Sequence, residues 1–424
     1  SKMKKRPILT MTVTIIAAVF FLVHIPFQAN AAGTATGDLQ IKAKASLAVD
    51  AGTGQILYEQ NAKQPLAIAS VSKLMTIYIV DQQIKAHKLK WNSPVKIDSK
   101  LAELSTAAEL TNVTLKAGHT YTVRSLVKAA LVSSANAAAI ALGNKVSGNQ
   151  KNFALLMQKT AKKMGIKHSK FYNAAGLPNK LMGKLALSGV SPNAENEMSA
   201  EGVGMVTTNL INSFPAVTKI TSLKNFVFAG SQYEGHNSLL GTKTVGHNVN
   251  VTGLKTGTSD KAGACFVGSA TYQGRKIITV ILHARNMSPT DPARYVQTEK
   301  LMRGVVINNR PVRINKRSKV DGVEDILVEN AKNQTVKLGT NQNRWLWLPS
   351  NQDLKVTGQF TNKAKKIEAP LSTDQVVAKA ELKVNGQKFE YLNDQDAKIS
   401  MTPVKKVKKA NVFVLLFRAL AKLF

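Results

Sequence analysis

The chain has 424 residues, of which 44% are hydrophobic, so its length and composition allow two or three globular domains. With 58 Lys and Arg against 25 Asp and Glu, the formal net charge is +33, which suits partners such as nucleic acid, anionic lipid or anionic wall polymers. The sequence has no zinc-finger spacing and no aromatic-glycine RNA-binding signature, so we expect no nucleic acid partner. The single cysteine, Cys265, excludes an intrachain disulfide, and its small and apolar neighbours predict a buried thiol in a strand.

The first segment has a basic flank, an apolar run from Ile8 to Phe27 and a small-residue site, A-N-A, at residues 29–31. This order is typical of a secretory signal peptide, which we predict over residues 1–31, and therefore of an exported protein. The alternative is a retained N-terminal membrane anchor, since roughly 20 apolar residues can span a bilayer.

Residues 46–59 form two short apolar runs around an Asp-Ala-Gly-Thr-Gly turn, which predicts a β-hairpin. Helical spacing of apolar residues predicts a helix from Ser70 to about Lys85. The remaining predicted elements are helices at Val123–Gly143, Asn152–Met164 and Pro292–Val305, and strands at Gly253–Thr271 and Lys276–Ala284. Strands on both sides of a helical middle indicate an α/β arrangement with a helical insertion.

A basic linker follows, and beyond it come short alternating runs with an Asn-Gly hairpin turn at residues 385–386. This pattern predicts a small all-β domain over residues 313–402.

The last segment, 405–424, is basic and then apolar. On a helical wheel its polar residues share one narrow face: Lys408, Asn411, Arg418 and Lys422. The apolar run is too short to span a bilayer, so we predict an amphipathic helix on an anionic membrane surface. The alternative is a core helix of the β domain.

Ser70 and Lys73 form an S-x-x-K pair, a pattern that this lysine-rich sequence contains four times, starting at Ser1, Ser70, Ser93 and Ser125. Ser70 alone opens an apolar-periodic helix directly after an extended segment. The i, i+3 spacing puts both side chains on one face, and an amide at a helix N-terminus is free to bind an oxyanion. The pair is therefore either a nucleophile with its base or a helix start with a solvated lysine.

A lysine acts as a base only when it is neutral, and burial or a second cation lowers its pKa. Lys255 supplies such a cation in the only K-T-G of the chain, on a predicted strand where Gly257 lets a substrate backbone approach closely. Between the two motifs lies an S-x-N, Ser134 and Asn136, a pattern that also recurs elsewhere. The specific signal is the ordered set of all three.

That ordered set, together with F-Y-N-A-A-G-L-P-N (171–179), E-M-S-A-E (197–201), H-N-S-L-L-G (236–241) and G-L-K-T-G-T-S-D-K-A-G (253–263), resembles the D-alanyl-D-alanine carboxypeptidases, the low-molecular-mass penicillin-binding proteins. The resemblance covers nearly all of the chain after residue 31. It implies a β-lactamase/DD-peptidase-like α/β domain over residues 34–312, with an antiparallel sheet flanked by helices and a helical subdomain. The small all-β domain and the amphipathic C-terminal helix follow.

The resemblance also implies roles for individual residues. Ser70 would be the acylated nucleophile and Lys73 its base. Ser134 and Asn136 would relay protons and orient the peptide, and Lys255 would provide the electrostatics and assist Ser134.

The substrate-binding strand would contain Thr256, Gly257 and Thr258. The oxyanion hole would be the backbone N–H groups of Ser70 and Thr258, and Arg294 would bind the terminal carboxylate of the substrate. One departure from the family pattern is Ala135, where Gly or Cys is common.

The implied function is hydrolysis of the D-Ala-D-Ala end of peptidoglycan stem peptides through an acyl-enzyme, without a metal or cofactor, on the outer face of the cytoplasmic membrane. β-Lactam antibiotics would be covalent inhibitors.

Three alternatives remain. A class A-like β-lactamase would need a glutamate in an E-x-x-L-N pattern, where I-K-H-S-K-F-Y-N stands instead. A non-catalytic wall- or membrane-binding protein would be expected to lack Ser70 or Lys73. Endopeptidase or transpeptidase action on the same fold is not separable by sequence.

Overall fold

The structure is a computed structural model that describes residues 38–350, 353–361 and 366–424. The predicted signal peptide lies outside these residues. The helices are α1 Lys73–Lys85, α2 Ser99–Ser105, α3 Val123–Val132, α4 Asn136–Ser147, α5 Gln150–Met164, α6 Ala200–Ser213, α7 Val217–Thr221, α8 Ala293–Asn308 and α9 Val412–Ala421. Short 3₁₀ turns occur at Ala69–Ser72, Asn179–Leu185 and Asp394–Ala397.

The strands divide into an N-terminal and a C-terminal group. The N-terminal strands are β1 Ala43–Asp50, β2 Ile56–Gln60, β3 Leu66–Ala67, β4 Pro94–Lys96, β5 Thr120–Thr122, β6 Glu197–Met198, β7 Asn225–Phe228, β8 Ser231–Glu234, β9 Asn250–Ser259, β10 Gly263–Tyr272 and β11 Arg275–Ala284. The C-terminal strands are β12 Asn309–Ile314, β13 Asp325–Leu327, β14 Thr335–Thr340, β15 Arg344–Pro349, β16 Val356–Phe360, β17 Ala378–Val384, β18 Gln387–Lys388 and β19 Lys398–Pro403.

The N-terminal domain is built on a five-stranded antiparallel sheet in the order β2-β1-β11-β10-β9. Successive side chains of a strand point to opposite faces, and both faces of this sheet are covered. In β11, Val280 packs into the core shared with the helical middle of the chain, whereas Ile281 packs into a second core with α8. This double burial explains why β10 and β11 are nearly continuous apolar runs rather than alternating ones.

The helical middle departs from the sequence prediction at one place. We predicted a single helix over Val123–Gly143, but α3 ends at Val132 and α4 begins at Asn136. The interruption contains Ser134, whose φ of 57° lies in the left-handed region that a helix cannot contain. The prediction of one continuous helix was therefore wrong, and the break brings Ser134 into the cleft described below.

The C-terminal β domain has its own sheet, with strand order β13-β14-β19-β17-β16 and β18 paired to β17. Its core is separate from that of the N-terminal domain and contains residues such as Val323, Leu338 and Met401. The Asn385-Gly386 turn joins β17 to β18, as the sequence predicted.

Trp347 joins the two domains. It lies on β15, yet its fully buried side chain packs into the second core of the N-terminal domain. Its Nε1 donates to Asp50 Oδ2 at 2.8 Å, and its backbone exchanges two hydrogen bonds with the amide of Gln55. The backbone of the C-terminal domain also pairs with the edge of β2, since Ile56 N donates to Glu390 O at 2.8 Å. These contacts hold the domains together.

Helix α9 lies on the outside of the β domain with none of its residues buried. The alternative that it is a core helix is therefore wrong. Its polar side faces the protein: Arg418 Nη1 donates to the carbonyls of Glu329 and Ala331, and Lys422 forms an ion pair with Glu329 at 3.2 Å. Across the described residues, no helix has the length and apolar character needed to cross a membrane.

Candidate active site

A cleft of about 1280 Å³ opens between β9, an edge strand of the sheet, and the helical middle of the chain. Its lining includes most of the sequence-predicted site residues: Ser70, Ser134, Asn136, Thr256, Gly257, Thr258 and Arg294. Lys73 and Lys255 are buried and reach the same place through hydrogen bonds. The structure therefore brings together residues that are up to 224 positions apart in the sequence.

Ser70 lies in the 3₁₀ turn Ala69–Ser72 that leads into α1. Ala69, the residue before it, has a φ of 46°, a strained value for a residue other than glycine. Two glycines pack against this turn. A Cβ on Gly176 would lie 1.9 Å from Ala69 O, and a Cβ on Gly257 would lie 2.7 Å from Ile68 O. The backbones of two other segments thus approach the turn closely and hold Ser70 at the cleft floor.

Lys73 is fully buried, and its Nζ has four oxygen neighbours. Ser70 Oγ and Asn136 Oδ1 both lie at 2.7 Å, Ala175 O at 3.2 Å and Ser134 Oγ at 3.3 Å. A neutral amine has two N–H donors and one lone pair. The amide and carbonyl oxygens can only accept, so they take the two donors and leave the lone pair for a hydroxyl proton. This geometry suits a neutral Lys73 that accepts a hydrogen bond from Ser70.

The electrostatics favour the same protonation state. Burial, followed by the charge of Lys255, holds the pKa of Lys73 well below its ordinary value of 10.5. A base with a lowered pKa is neutral over a wider pH range and can remove the proton of a serine hydroxyl at neutral pH.

Ser134 lies between the two lysines. Lys255 Nζ donates to Ser134 Oγ at 2.8 Å and to Thr256 O at 2.9 Å. Burial, followed by the charge of Arg294, lowers the pKa of Lys255 to about 7. The hydroxyl of Ser134 therefore connects Lys73 to Lys255.

Asn136 is held at both ends of its amide. Oδ1 accepts from Lys73 Nζ, and Nδ2 donates to Thr111 O at 3.0 Å. Among the described residues the other N–H of this amide has no partner, and Asn136 lines the cleft. The fixed amide orients Lys73 towards Ser70.

Arg294, on α8, is nearly buried beneath β9. Its Nη1 donates to the carbonyls of Gly257 and Cys265, and its Nη2 donates to Thr258 Oγ1 at 2.6 Å. The guanidinium thus places a positive charge beside Thr258 on the cleft wall and supports the strand from below. Cys265 is fully buried in β10, which confirms the sequence prediction of a buried thiol, and burial raises its pKa to about 11.

Asn173 is a buried residue to which the sequence analysis gave no role. Its Oδ1 accepts from three successive backbone amides, those of Ala175, Gly176 and Leu177, at 2.8 to 3.1 Å. The loop shaped in this way presents Ala175 O to Lys73. The stretch F-Y-N-A-A-G-L-P-N was recognised in the sequence, but a backbone carbonyl leaves no sequence signal of its own.

Glu195 is a second residue that the sequence analysis missed. It is almost fully buried at the cleft wall, and its Oε1 accepts from Ser259 Oγ at 2.6 Å. Burial raises its pKa. Glu195 fixes the end of β9 next to Thr256, Gly257 and Thr258. Among the described residues, no group of three or more His, Cys, Asp or Glu side chains is arranged to hold a metal ion.

The fold and the cleft together define a serine peptidase of the penicillin-binding type. The family model described as D-alanyl-D-alanine carboxypeptidase matches residues 30–286, and the model described as the C-terminal domain of penicillin-binding protein 5 matches residues 314–411. The first match spans more than half of the chain. The chain therefore belongs to the D-alanyl-D-alanine carboxypeptidase family, as its motifs predicted, and it is an enzyme of that class.

Individual relatives agree with this assignment. D-alanyl-D-alanine carboxypeptidase DacD of Escherichia coli is 29% identical over 384 residues, which cover 90% of this chain and 91% of the relative. DacC of the same organism is 30% identical over 82% of each chain. The peptidoglycan synthesis regulatory factor PBP3 of Streptococcus pneumoniae has a similar structure, with 34% identity and a TM-score of 0.74 over 87% of this chain and all of that one. Penicillin-binding protein 5 of Haemophilus influenzae, 25% identical, gives 0.70 over 87% and 98%.

Proposed function

We propose that Ser70 is the nucleophile by which this enzyme removes the terminal D-alanine from peptidoglycan stem pentapeptides. The single observation that carries this assignment is the 2.7 Å distance between Ser70 Oγ and the buried Lys73 Nζ. A buried amine with a lowered pKa at this distance is the arrangement that activates a serine hydroxyl.

In the acylation step, Ser70 Oγ attacks the carbonyl carbon of the penultimate D-alanine, and Lys73 takes the hydroxyl proton. The negative charge that develops on the carbonyl oxygen is stabilised by the N–H groups of Ser70 and Thr258. The proximity of Gly257 to the Ser70 turn supports this pairing. Ser134, which contacts both lysines, passes a proton to the departing D-alanine amine. Water then hydrolyses the ester and restores Ser70.

Arg294 would bind the terminal carboxylate that distinguishes this substrate. Its position on the cleft wall beside Thr258 Oγ1 supports this role. Arg294→Gln should raise the KM for a pentapeptide with a free C-terminal carboxylate. The KM for the same peptide with an amidated C-terminus should rise much less. Equal changes for both peptides would contradict carboxylate binding and leave Arg294 as a support of β9.

Labelling with a fluorescent penicillin tests the nucleophile directly. Ser70→Ala should abolish both labelling and D-alanine release. Ser125→Ala is a matched control, since Ser125 also begins an S-x-x-K but lies in the first turn of α3 and does not line the cleft. This variant should retain both labelling and D-alanine release. Labelling of Ser70→Ala at the wild-type level would assign the acyl-enzyme to another serine.

Carboxypeptidase action fits the chain better than endopeptidase action. The carboxypeptidase relatives align over 82–90% of the chain, including the C-terminal β domain. A D-alanyl-D-alanine endopeptidase of Pseudomonas aeruginosa aligns over only 58%. Product analysis on a pentapeptide stem and on a cross-linked dimer would separate the two activities.

We further propose that α9 binds the anionic surface of the cytoplasmic membrane and that the exported enzyme acts on its outer face. The outward side of the helix is wholly apolar, with Phe413 78% and Phe417 72% exposed. Exposed lysines within residues 405–409 flank it, and each cation near anionic lipid contributes about 1 kcal/mol. In the proposed division, residues 34–312 form the catalytic domain and residues 405–424 attach the enzyme to the membrane. Residues 313–402 form the β domain that separates the two. The net charge of +33 also suits anionic wall polymers.

Sedimentation with vesicles tests the attachment. Phe417→Glu should reduce binding to anionic vesicles, because it places a charge in the apolar side of α9. Leu155→Glu is a matched control on α5 of the N-terminal domain, where Leu155 is 64% exposed. The proposal would be contradicted if both variants lost vesicle binding equally, or if neither variant lost it.

A further inference from the structure

A groove of about 630 Å³ runs along the junction of the two domains, and none of its lining residues lines the active-site cleft. We call it the junction groove. Its N-terminal wall includes Asn209 and Asn212 on α6, and its C-terminal wall includes Gln342, Asn343, Trp345 and Asn393. Neither the catalytic steps nor membrane attachment uses any of these residues.

The side-chain amides of the two walls have complementary hydrogen-bonding groups: one wall offers acceptors and the other offers donors. On α6, Nδ2 of Asn209 donates to Met205 O and Nδ2 of Asn212 donates to Ala51 O, so within the described residues both Oδ1 atoms remain as acceptors. On the opposite wall, Oδ1 of Asn343 accepts from Lys316 N and Oδ1 of Asn393 accepts from Gln395 N. Their Nδ2 groups are left as donors among those residues. A ligand with neighbouring donors and acceptors, such as the hydroxyl and acetamido groups of a sugar, matches both walls.

Trp345 adds an aromatic surface to the groove. The Arg275 guanidinium lies 4.9 Å from the centre of its ring and is itself held by a bidentate ion pair with Asp50. The ring is therefore fixed from one side. Met164 and Leu392 contribute further apolar surface. An apolar surface among a few fixed polar groups is a common design of small-ligand sites, and the C–H faces of pyranose rings pack on such surfaces.

The charges of the groove favour an uncharged ligand. Arg275 is neutralised by Asp50. Arg344 donates to the carbonyls of Asp396 and Lys398, and its charge is opposed by the Asp396 carboxylate, which also lines the groove. Lys163 is exposed at the rim, where a single solvated cation gives little affinity for a polyanion.

The walls are also held in place before any ligand arrives. Leu392 N donates to Gly54 O at 2.9 Å, and both residues line the groove. Trp347 anchors β15 in the opposite domain. A preformed groove avoids the ordering cost that weakens binding to mobile loops.

We propose that the junction groove binds an N-acetylated oligosaccharide, the chemistry of the glycan strand that carries the stem peptides. The choice of this glycan over other oligosaccharides rests on the proposed function. Binding here would keep the enzyme on one strand and raise the effective concentration of neighbouring stems at Ser70.

The probe is chitotetraose, an uncharged N-acetylglucosamine tetramer without a peptide, titrated into the full chain by calorimetry. The double variant Gln342→Ala/Asn343→Ala, in an exposed turn, should weaken binding at least about tenfold. It should leave D-alanine release from a short soluble pentapeptide unchanged, which also shows that the variant is folded. Gln232→Ala, an exposed amide on β8, is the matched control and should bind like the wild type.

The proposal would be overturned if the wild-type protein gave no heat of binding up to about 10 mM chitotetraose. A Kd of that size lies near the lower limit for specific recognition. An unchanged affinity in the double variant would also overturn the proposal. Poly(glycerol phosphate) forms a second arm: binding of this polymer but not of chitotetraose would assign the groove to an anionic ligand instead. The assay does not use Ser70, so failure of glycan binding with intact D-alanine release contradicts the groove alone. Loss of the Ser70 assignment would leave the binding result standing.

Discussion

Replacing Lys255 with glutamine removes a positive charge near Lys73 but keeps a side chain that can donate to Ser134. Both lysine nitrogens contact Ser134 Oγ, at 2.8 and 3.3 Å, which puts them roughly 5 to 6 Å apart. At that separation two unit charges in a partly screened site interact by about 3 kcal/mol, equivalent to roughly two pH units in the pKa of Lys73. The pKa of Lys255 is about 7, so its charge acts below neutral pH and fades above it.

The direction follows from the role of Lys73 as a base. Neutral Lys73 is available above its pKa and is lost as the pH falls through it, so acylation should decline on the acid side. In the wild type, burial and the Lys255 charge hold that pKa well below 10.5. Lys255→Gln raises it, and the acid limb should move towards alkaline pH by about one to two pH units. Lys255→Arg keeps the charge and should leave the limb near its wild-type position.

The assay is the single-turnover rate of acylation by a fluorescent penicillin at saturating concentration, measured across pH for both variants. Saturation separates the rate from any weaker binding of the substrate carboxylate. An acid limb in Lys255→Gln that stays within about 0.3 pH units of the wild type would refute the claim that Lys255 sets the basicity of Lys73.

Three further substitutions test other features. Asn173→Ala leaves three buried backbone amides without their acceptor, so it should lower the free energy of unfolding by about 3 kcal/mol or more and also reduce kcat. Urea denaturation measures the first effect and D-alanine release the second. An unchanged kcat would contradict the idea that Asn173 positions Ala175 O. Trp347→Ala should lower the free energy of unfolding by about 4 kcal/mol, and a loss below about 1 kcal/mol in calorimetry would mean that the domains are held elsewhere. Arg418→Gln should speed hydrogen exchange in α9 while vesicle binding persists, and unchanged exchange would show that other contacts hold the helix.

The proximity of Ser70 and Lys73 was predictable even though the local structure was not. We predicted a helix that begins at Ser70, whereas Ser70 lies in a 3₁₀ turn and α1 begins at Lys73. Residues three apart share a face in both kinds of helix. The spacing therefore predicted the contact correctly, although the start of the helix was predicted three residues too early. Ser134 shows the opposite case. Apolar periodicity continued through it, and a single left-handed residue has no periodic signature.

Trp347 marks a limit of pattern reasoning. The alternating run around it correctly predicted a strand in the β domain. An alternating apolar pattern indicates that a side chain is buried but not in which core. The Trp347 side chain packs into the core of the N-terminal domain. The same limit applies to α9. Its narrow polar face was visible in the sequence, but a helical wheel cannot tell that this face contacts the β domain through Arg418.

The junction at Trp347 and the contacts of Arg418 have a mechanical consequence. Because the sheet of the N-terminal domain, the β domain and α9 are each fastened to the next, the mouth of the cleft cannot swing freely about a linker. With α9 on a lipid surface, Ser70 stays at one height above that surface. If α9 attaches the enzyme to the membrane as proposed, it would trim only stems within a thin layer of the wall, and the length of the β domain would set the height of that layer.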